Sequence, residues 1–113
     1  MPFIDSKITV KLSNEQKEKI KTRFGQAVSA LHKGETYLMV GFEDGYELYL
    51  GGKKLEKGAY VSVSLFGRAS ASDYEKMTGL VSEILAEELG IPASAVYVTY
   101  HEIQNWGWNG ANF

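Results

Sequence analysis

Apolar and polar residues repeat with two different periods along this chain, and the alternation of those periods divides it into two similar halves. Phe3 to Val10 reads as a strand. Ser13-Asn14-Glu15-Gln16 then has the form of a capping box, in which the serine hydroxyl serves one free backbone N–H and the glutamine reaches back. Ile20, Phe24, Ala27, Val28 and Leu31 fall on one face of a helix, with Gly34 as its expected stop. Tyr37 to Phe42 is the next strand, Asp44-Gly45 a turn, and Glu47 to Leu50 a short strand ended by Gly51-Gly52.

The second half repeats the order. In Tyr60 to Phe66, Val61, Val63 and Leu65 alternate with serines, the period-two signature of a strand. Ser72-Asp73-Tyr74-Glu75 reads as a second capping box. Met77, Leu80, Val81, Ile84, Leu85 and Leu89 make a second helical stripe, closed by Gly90 and Pro92. Ala95 to His101 is a further strand, and Gln104 to Phe113 an aromatic, glycine-containing tail. Each helix lies between two strands, so the strands it joins are expected to be parallel, with right-handed crossovers. The expected class is mixed α/β or α+β, with two βαβ units and both helices on one face of the sheet. Two helices cover only one face, while Tyr37 to Phe42 is apolar almost throughout. A large apolar patch is therefore expected on the second face, with self-association to cover it.

Composition narrows the function classes. The 113 residues suit one compact domain, 1–113. With 12 Lys+Arg against 14 Asp+Glu the net charge is -2, and no segment is basic enough to argue for nucleic acid. Cysteine is absent, which removes disulfides, thiolate metal sites and thiol redox chemistry. No apolar run approaches membrane-spanning length and no secretory leader is evident. His101 and Glu102 have no acidic cluster around them, so no metal is expected; they read as strand-end polar groups. Asp5 and Glu43 stand alone, with no carboxylate pair for acid–base work. Lys53, Lys54 and Lys57 read as a solvated loop patch.

Pro2 has two readings. It can open an edge strand, where a missing N–H costs nothing. Alternatively, once Met1 is removed, it presents a secondary amine in a ring, able to act as a base or nucleophile. An α-amino group has a pKa of about 7.7–8.0. Burial and a nearby cation both disfavour its charged form and bring a neutral base within reach of pH 7. If Met1 stays, the nitrogen is an amide without a basic lone pair.

Pro2-Phe3-Ile4, the step Lys33-Gly34-Glu35-Thr36-Tyr37, the Gly51-Gly52 pair, Val96-Tyr97-Val98-Thr99-Tyr100 and the ending Gly107-Trp108-Asn109-Gly110-Ala111-Asn112-Phe113 together resemble the macrophage migration inhibitory factor family of the tautomerase superfamily. The resemblance runs nearly end to end. It implies a homotrimer whose three sheets enclose a channel, with active sites at the subunit interfaces. The implied chemistry is cofactor-independent keto–enol tautomerisation of a small aryl 2-oxo acid such as phenylpyruvate. Pro2 would be the base, and Lys33 would attract the substrate carboxylate or enolate and hold down the Pro2 pKa. Phe3 flanks the base, Tyr37 lies at the rim, and Leu65 offers its backbone N–H. Tyr97 would enter from the neighbouring subunit, Thr99 would make a shortened or altered polar contact, and Trp106, Trp108 and Phe113, tail aromatics of a neighbouring chain, would form an aromatic wall.

Several residues depart from the family's mammalian member. Thr99 replaces an asparagine, Trp106 a smaller aliphatic residue, and Phe66-Gly67-Arg68-Ala69-Ser70 is a shorter loop in which Arg68 adds a cation near the mouth. The mammalian Cys-x-x-Cys is missing. Three roles stay open at this level: a tautomerase, a signalling ligand for a cell-surface receptor, and a scaffold trimer with a dead pocket. The expected location is the cytoplasm, or outside the cell by export without a signal peptide.

Overall fold

The structure, a computed structural model, describes residues 1–113. The first unit comprises strand β1 (Pro2–Ile8), helix α1 (Asn14–Ala27) and strand β2 (Met39–Glu43). A small hairpin follows, made of β3 (Tyr49–Leu50) and β4 (Lys53–Lys54), so two of the lysines read as loop belong to a strand. The second unit comprises β5 (Ala59–Phe66), α2 (Ala71–Leu89) and β6 (Val96–Ile103). The tail folds into a second hairpin of β7 (Gly107–Trp108) and β8 (Ala111–Asn112).

The main sheet has the order β2-β1-β5-β6. Both strand pairs joined through a helix are parallel, as expected, and the two units meet along an antiparallel β1–β5 seam. That seam places Pro2 opposite Leu65. The inward rows of β1 and β5 carry Ile4, Ile8, Val61 and Val63, all fully buried against Ile20 and Phe24 of α1 and Met77, Val81 and Leu85 of α2. Each such side chain contributes about 1.5–3 kcal/mol by leaving water. Ser6 occupies the same inward row, and its Oγ has no hydrogen-bond partner.

The helix starts follow local chemistry. Ser13 Oγ accepts from the Gln16 N–H at 3.1 Å while Gln16 Oε1 accepts from the Ser13 N–H at 2.9 Å. The second box sits two residues earlier than the sequence suggested. Ser70 Oγ accepts from the Asp73 N–H at 3.1 Å, and Asp73 Oδ2 accepts from the Ser70 N–H at 3.2 Å. Two overlapping patterns competed here, and an aspartate at the third helical position closes the box as a glutamate would. Gly90 ends α2 in the left-handed region, with φ of 69°. The stop after α1 is not Gly34. The chain tightens into a 3₁₀ turn, Val28–Leu31, and His32 itself takes the left-handed conformation with φ of 58°. The His32 imidazole lies 3.4 Å from Asp73, a contact between the two helix ends that favours this unusual position for a non-glycine residue.

The second sheet face corrects the expectation of a broad apolar patch. Strand β2 turns Val40 and Phe42 toward the core, so the apolar run is one-sided. The outward rows carry Phe3, Asp5 and Lys7 on β1 and Tyr60, Ser62 and Ser64 on β5. Asp5 and Glu43 are not isolated: Lys7 Nζ lies 3.4 Å from Asp5 and 3.1 Å from Glu43. Tyr60 OH is 2.8 Å from Thr99 Oγ1, which is 3.0 Å from His101 Nε2. Exposed apolar surface instead gathers at two opposite edges. Tyr37 and Met39 lie beside β2, and Tyr97 lies with Tyr49 and Leu50 beside β6. No helix is long and apolar enough to cross a membrane.

Candidate active site

A cleft of about 690 Å³ opens at the start of β1. Its floor is Met1, Pro2 and Phe3; Tyr37, Leu38 and Met39 form one side, Ser64 and Ile103 another, and Trp106 and Trp108 close it from the tail. Pro2 is buried, and its nitrogen is in amide linkage to Met1. The Met1 carbonyl accepts the Phe66 N–H at 3.1 Å, which anchors the chain start on the end of β5.

Lys33 arrives from the turn that follows α1. Its Nζ donates to the Phe66 carbonyl at 3.1 Å. Both the ammonium and the start of β1 are thus tied to one residue. The α-amino group of Met1 is held below its ordinary value, first by partial burial and then by the charge of Lys33. Both causes act on any amine placed at this end of β1.

The tail hairpin turns at Asn109 and Gly110, both with positive φ, 54° and 79°, as a tight two-residue hairpin requires. It sets Trp108 edge-on to Tyr37 with ring centres 5.1 Å apart, and Phe113 at 6.2 Å from Trp108. Phe113 also meets Phe66 at 5.7 Å, and its N–H donates to the Trp106 carbonyl at 3.0 Å. A continuous aromatic rim results, from the end of β5 to the residues before β2. Aromatic pairs of this kind contribute about 0.5–1.5 kcal/mol each beyond burial.

The protomer therefore brings together Pro2, Phe3, Tyr37, Trp106 and Trp108 in one cleft, with Lys33 and Phe113 at its margin. The tail aromatics that flank Pro2 come from the same chain, not from a neighbouring one as expected, because the tail hairpin folds back over the start of β1. The Leu65 side chain is fully buried, which leaves only its backbone for contact. Tyr97 and Thr99 do not line this cleft. Tyr97 is 61% exposed beside the β3–β4 hairpin, and Thr99 bonds to Tyr60 and His101. Sequence reasoning missed Met39 and Ser64. Both stand opposite Phe3 in the strand register, and register is legible only once the strands are paired.

The whole chain, residues 1–113, matches the family model described as macrophage migration inhibitory factor. The macrophage migration inhibitory factor of Xenopus laevis is 33% identical over 64 residues, covering 55% of this chain and 56% of the frog protein, so the match spans about half of that relative. Leishmania major MIF2 superposes with a TM-score of 0.93 at 31% identity, covering 100% of this chain and 97% of that one. A macrophage migration inhibitory factor homologue from Prochlorococcus marinus gives a TM-score of 0.88 at 26% identity, with 98% of each chain covered.

Proposed function

We propose that this chain, which belongs to the macrophage migration inhibitory factor family, is a cofactor-independent tautomerase that interconverts the keto and enol forms of a small aryl 2-oxo acid, with Pro2 as base after removal of Met1. Membership of the tautomerase superfamily supports isomerase activity in general. The observation that carries the finer reading is the placement of Pro2 at the floor of an aromatic cleft, beside a cation that already depresses the neighbouring amine.

With Met1 gone, the ring nitrogen of Pro2 becomes a secondary amine at a position more buried than the present α-amino group. Neutral at pH 7, it takes a proton from the carbon next to the substrate carbonyl. A proton then goes to the enolate oxygen, and the reverse path restores the ketone. Lys33 draws the substrate carboxylate or developing enolate, an effect worth a few kcal/mol in a preorganised site. Trp106, Trp108, Tyr37 and Phe113 stack against the aryl group. Tyr97 and Thr99 complete the site only from a neighbouring copy. The two apolar edges differ in composition, so contact between them is head-to-tail, an arrangement that either closes as a ring or runs on as a filament; the family resemblance favours a closed ring of three.

Intact-mass measurement of the purified protein establishes whether Met1 is removed, and sedimentation measures the assembly. Phenylpyruvate enol–ketone conversion followed by absorbance is expected to fall by at least a hundredfold in Pro2→Gly. Unchanged turnover in that variant ends the proline-base reading.

A further inference from the structure

Each helix contains one glycine, and the two have different surroundings. Gly79, on α2, has no atom within 4 Å of where a β-carbon would stand. Gly25, in the last turn of α1, is buried, and a β-carbon there would overlap Glu35 Oε1 and lie 3.0 Å from Glu35 Cδ. Neither glycine has a positive φ, so the backbone at Gly25 would accept alanine, the better helix former. The space would not. Glu35 folds back from the loop after α1 and lays its carboxylate against the helix where Gly25 leaves room. This seat is steric rather than ionic: Lys21 lines the same hollow, but its Nζ lies 2.7 Å from Glu18, and Glu35 forms no ion pair.

Glu35 stands at the corner of that loop. Its carbonyl accepts the Leu38 N–H at 3.0 Å, which closes a turn over residues 35–38. Two residues before it, Lys33 carries the ammonium that donates to the Phe66 carbonyl; two residues after it, Tyr37 sets its ring edge-on to Trp108. Thr36, Tyr37, Leu38 and Met39 line the Pro2 cleft. Residues 34–37 make no hydrogen bond to any helix or strand of the fold. Side-chain packing is therefore what locates them, at Gly25 on one side and at Trp108 on the other.

We infer that Gly25 and Glu35 are a positioning pair, in which the side chain seated on the glycine sets the loop that presents Lys33 and Tyr37 to an aryl acid in the cleft. What the loop is used for rests on the tautomerase reading; the seat itself stands on the packing alone. Glycine at this point of α1 gives up helix propensity and leaves room for the loop in exchange.

The Trp108 indole N–H resonance in NMR senses the Tyr37 ring and needs no ligand. Both tryptophans of the chain line the cleft, so their fluorescence measures the binding of cinnamate, an aryl acid, without turnover. In Gly25→Ala the urea midpoint is expected to hold or rise, while the indole signal shifts. Cinnamate then binds about threefold to tenfold more weakly, the size of one lost coupling. Glu35→Ala is expected to change both signals in the same way, and the double variant to be no worse than either single one, because all three lack the same contact. Glu35→Gln keeps the shape, drops the charge and retains the native signals. Gly79→Ala gains stability with neither signal moved. The inference is overturned if Gly25→Ala or Glu35→Ala leaves the indole signal in place, if the two losses add, or if Glu35→Gln behaves as Glu35→Ala does. Phenylpyruvate turnover is measured alongside, and in Gly25→Ala KM is expected to rise with kcat little changed. No turnover by the native protein, with an indole signal that follows the cycle, removes the catalytic reading and leaves this one standing. Turnover that depends on Pro2, with an indole signal indifferent to the cycle, does the reverse.

Discussion

The ammonium of Lys33 and the carbonyl of Phe66, 33 residues apart in sequence, meet at 3.1 Å. Phe66 also donates its N–H to the carbonyl of Met1. One residue at the end of β5 therefore sets the distance between the chain's first amine and its nearest cation. This differs from an ordinary lysine at a helix end, which only complements the helix dipole.

Removing that cation has a definite sign. A positive neighbour disfavours the protonated amine, and burial, the larger cause at Met1, persists without it. In Lys33→Met the α-amino pKa is expected to rise toward its ordinary value while staying below it. The acid limb of the activity profile, governed by the proposed Pro2 base, moves to higher pH in the same variant, and kcat/KM falls by about 10–100-fold at pH 7. NMR titration of the terminal amine and a pH–rate profile check the two parts separately. An unmoved amine titration rules out the electrostatic link.

Ser6 yields a prediction of opposite direction for stability. Its side chain is fully buried in the inward row of β1, and Oγ has no partner. An unpaired buried hydroxyl costs about 1–3 kcal/mol of desolvation, while the atom removed in Ser6→Ala leaves only a small void. The variant is expected to be more stable by about 1 kcal/mol. A urea midpoint that rises at constant slope verifies this; a lower midpoint means that the hydroxyl is satisfied in solution.

The helical stripes and the Ser13 box were legible in the sequence because each depends on residues three or four apart. The order β2-β1-β5-β6 was legible only in part: parallel pairs follow from the intervening helices, whereas the β1–β5 seam is a long-range choice. His32 shows the limit of local signals. Gly34 was available as a stop, yet the chain turns two residues earlier, where the imidazole reaches Asp73 across the helix pair. The polar second face was missed for a related reason. Asp5, Lys7 and Glu43 look unconnected until β1 and β2 are placed in register, Lys7 opposite Glu43. At the site, residue types marked Pro2 and the tail aromatics, but Met39 and Ser64 carry no chemical signature and enter only by geometry.

Acid sensitivity follows from two carboxylates that secure chain turns. Asp44 accepts the Leu12 N–H at 2.8 Å, and this bond is the main reason that its pKa lies below the ordinary aspartate value. Asp73 is lowered chiefly by the Ser70 N–H that closes the α2 box. A carboxyl whose folded pKa is depressed contributes stability above its unfolded pKa, about 3.9, and loses it as pH falls through the folded value. Stability is therefore expected to be level from neutral pH down to about pH 4.5 and to decline below it. Asp44→Asn keeps an oxygen acceptor for Leu12 but cannot titrate. Its urea midpoint should lie somewhat lower at pH 7 and fall less steeply between pH 4.5 and 2.5 than that of the native chain. Parallel declines in the two proteins would show that other acids govern the acid limb.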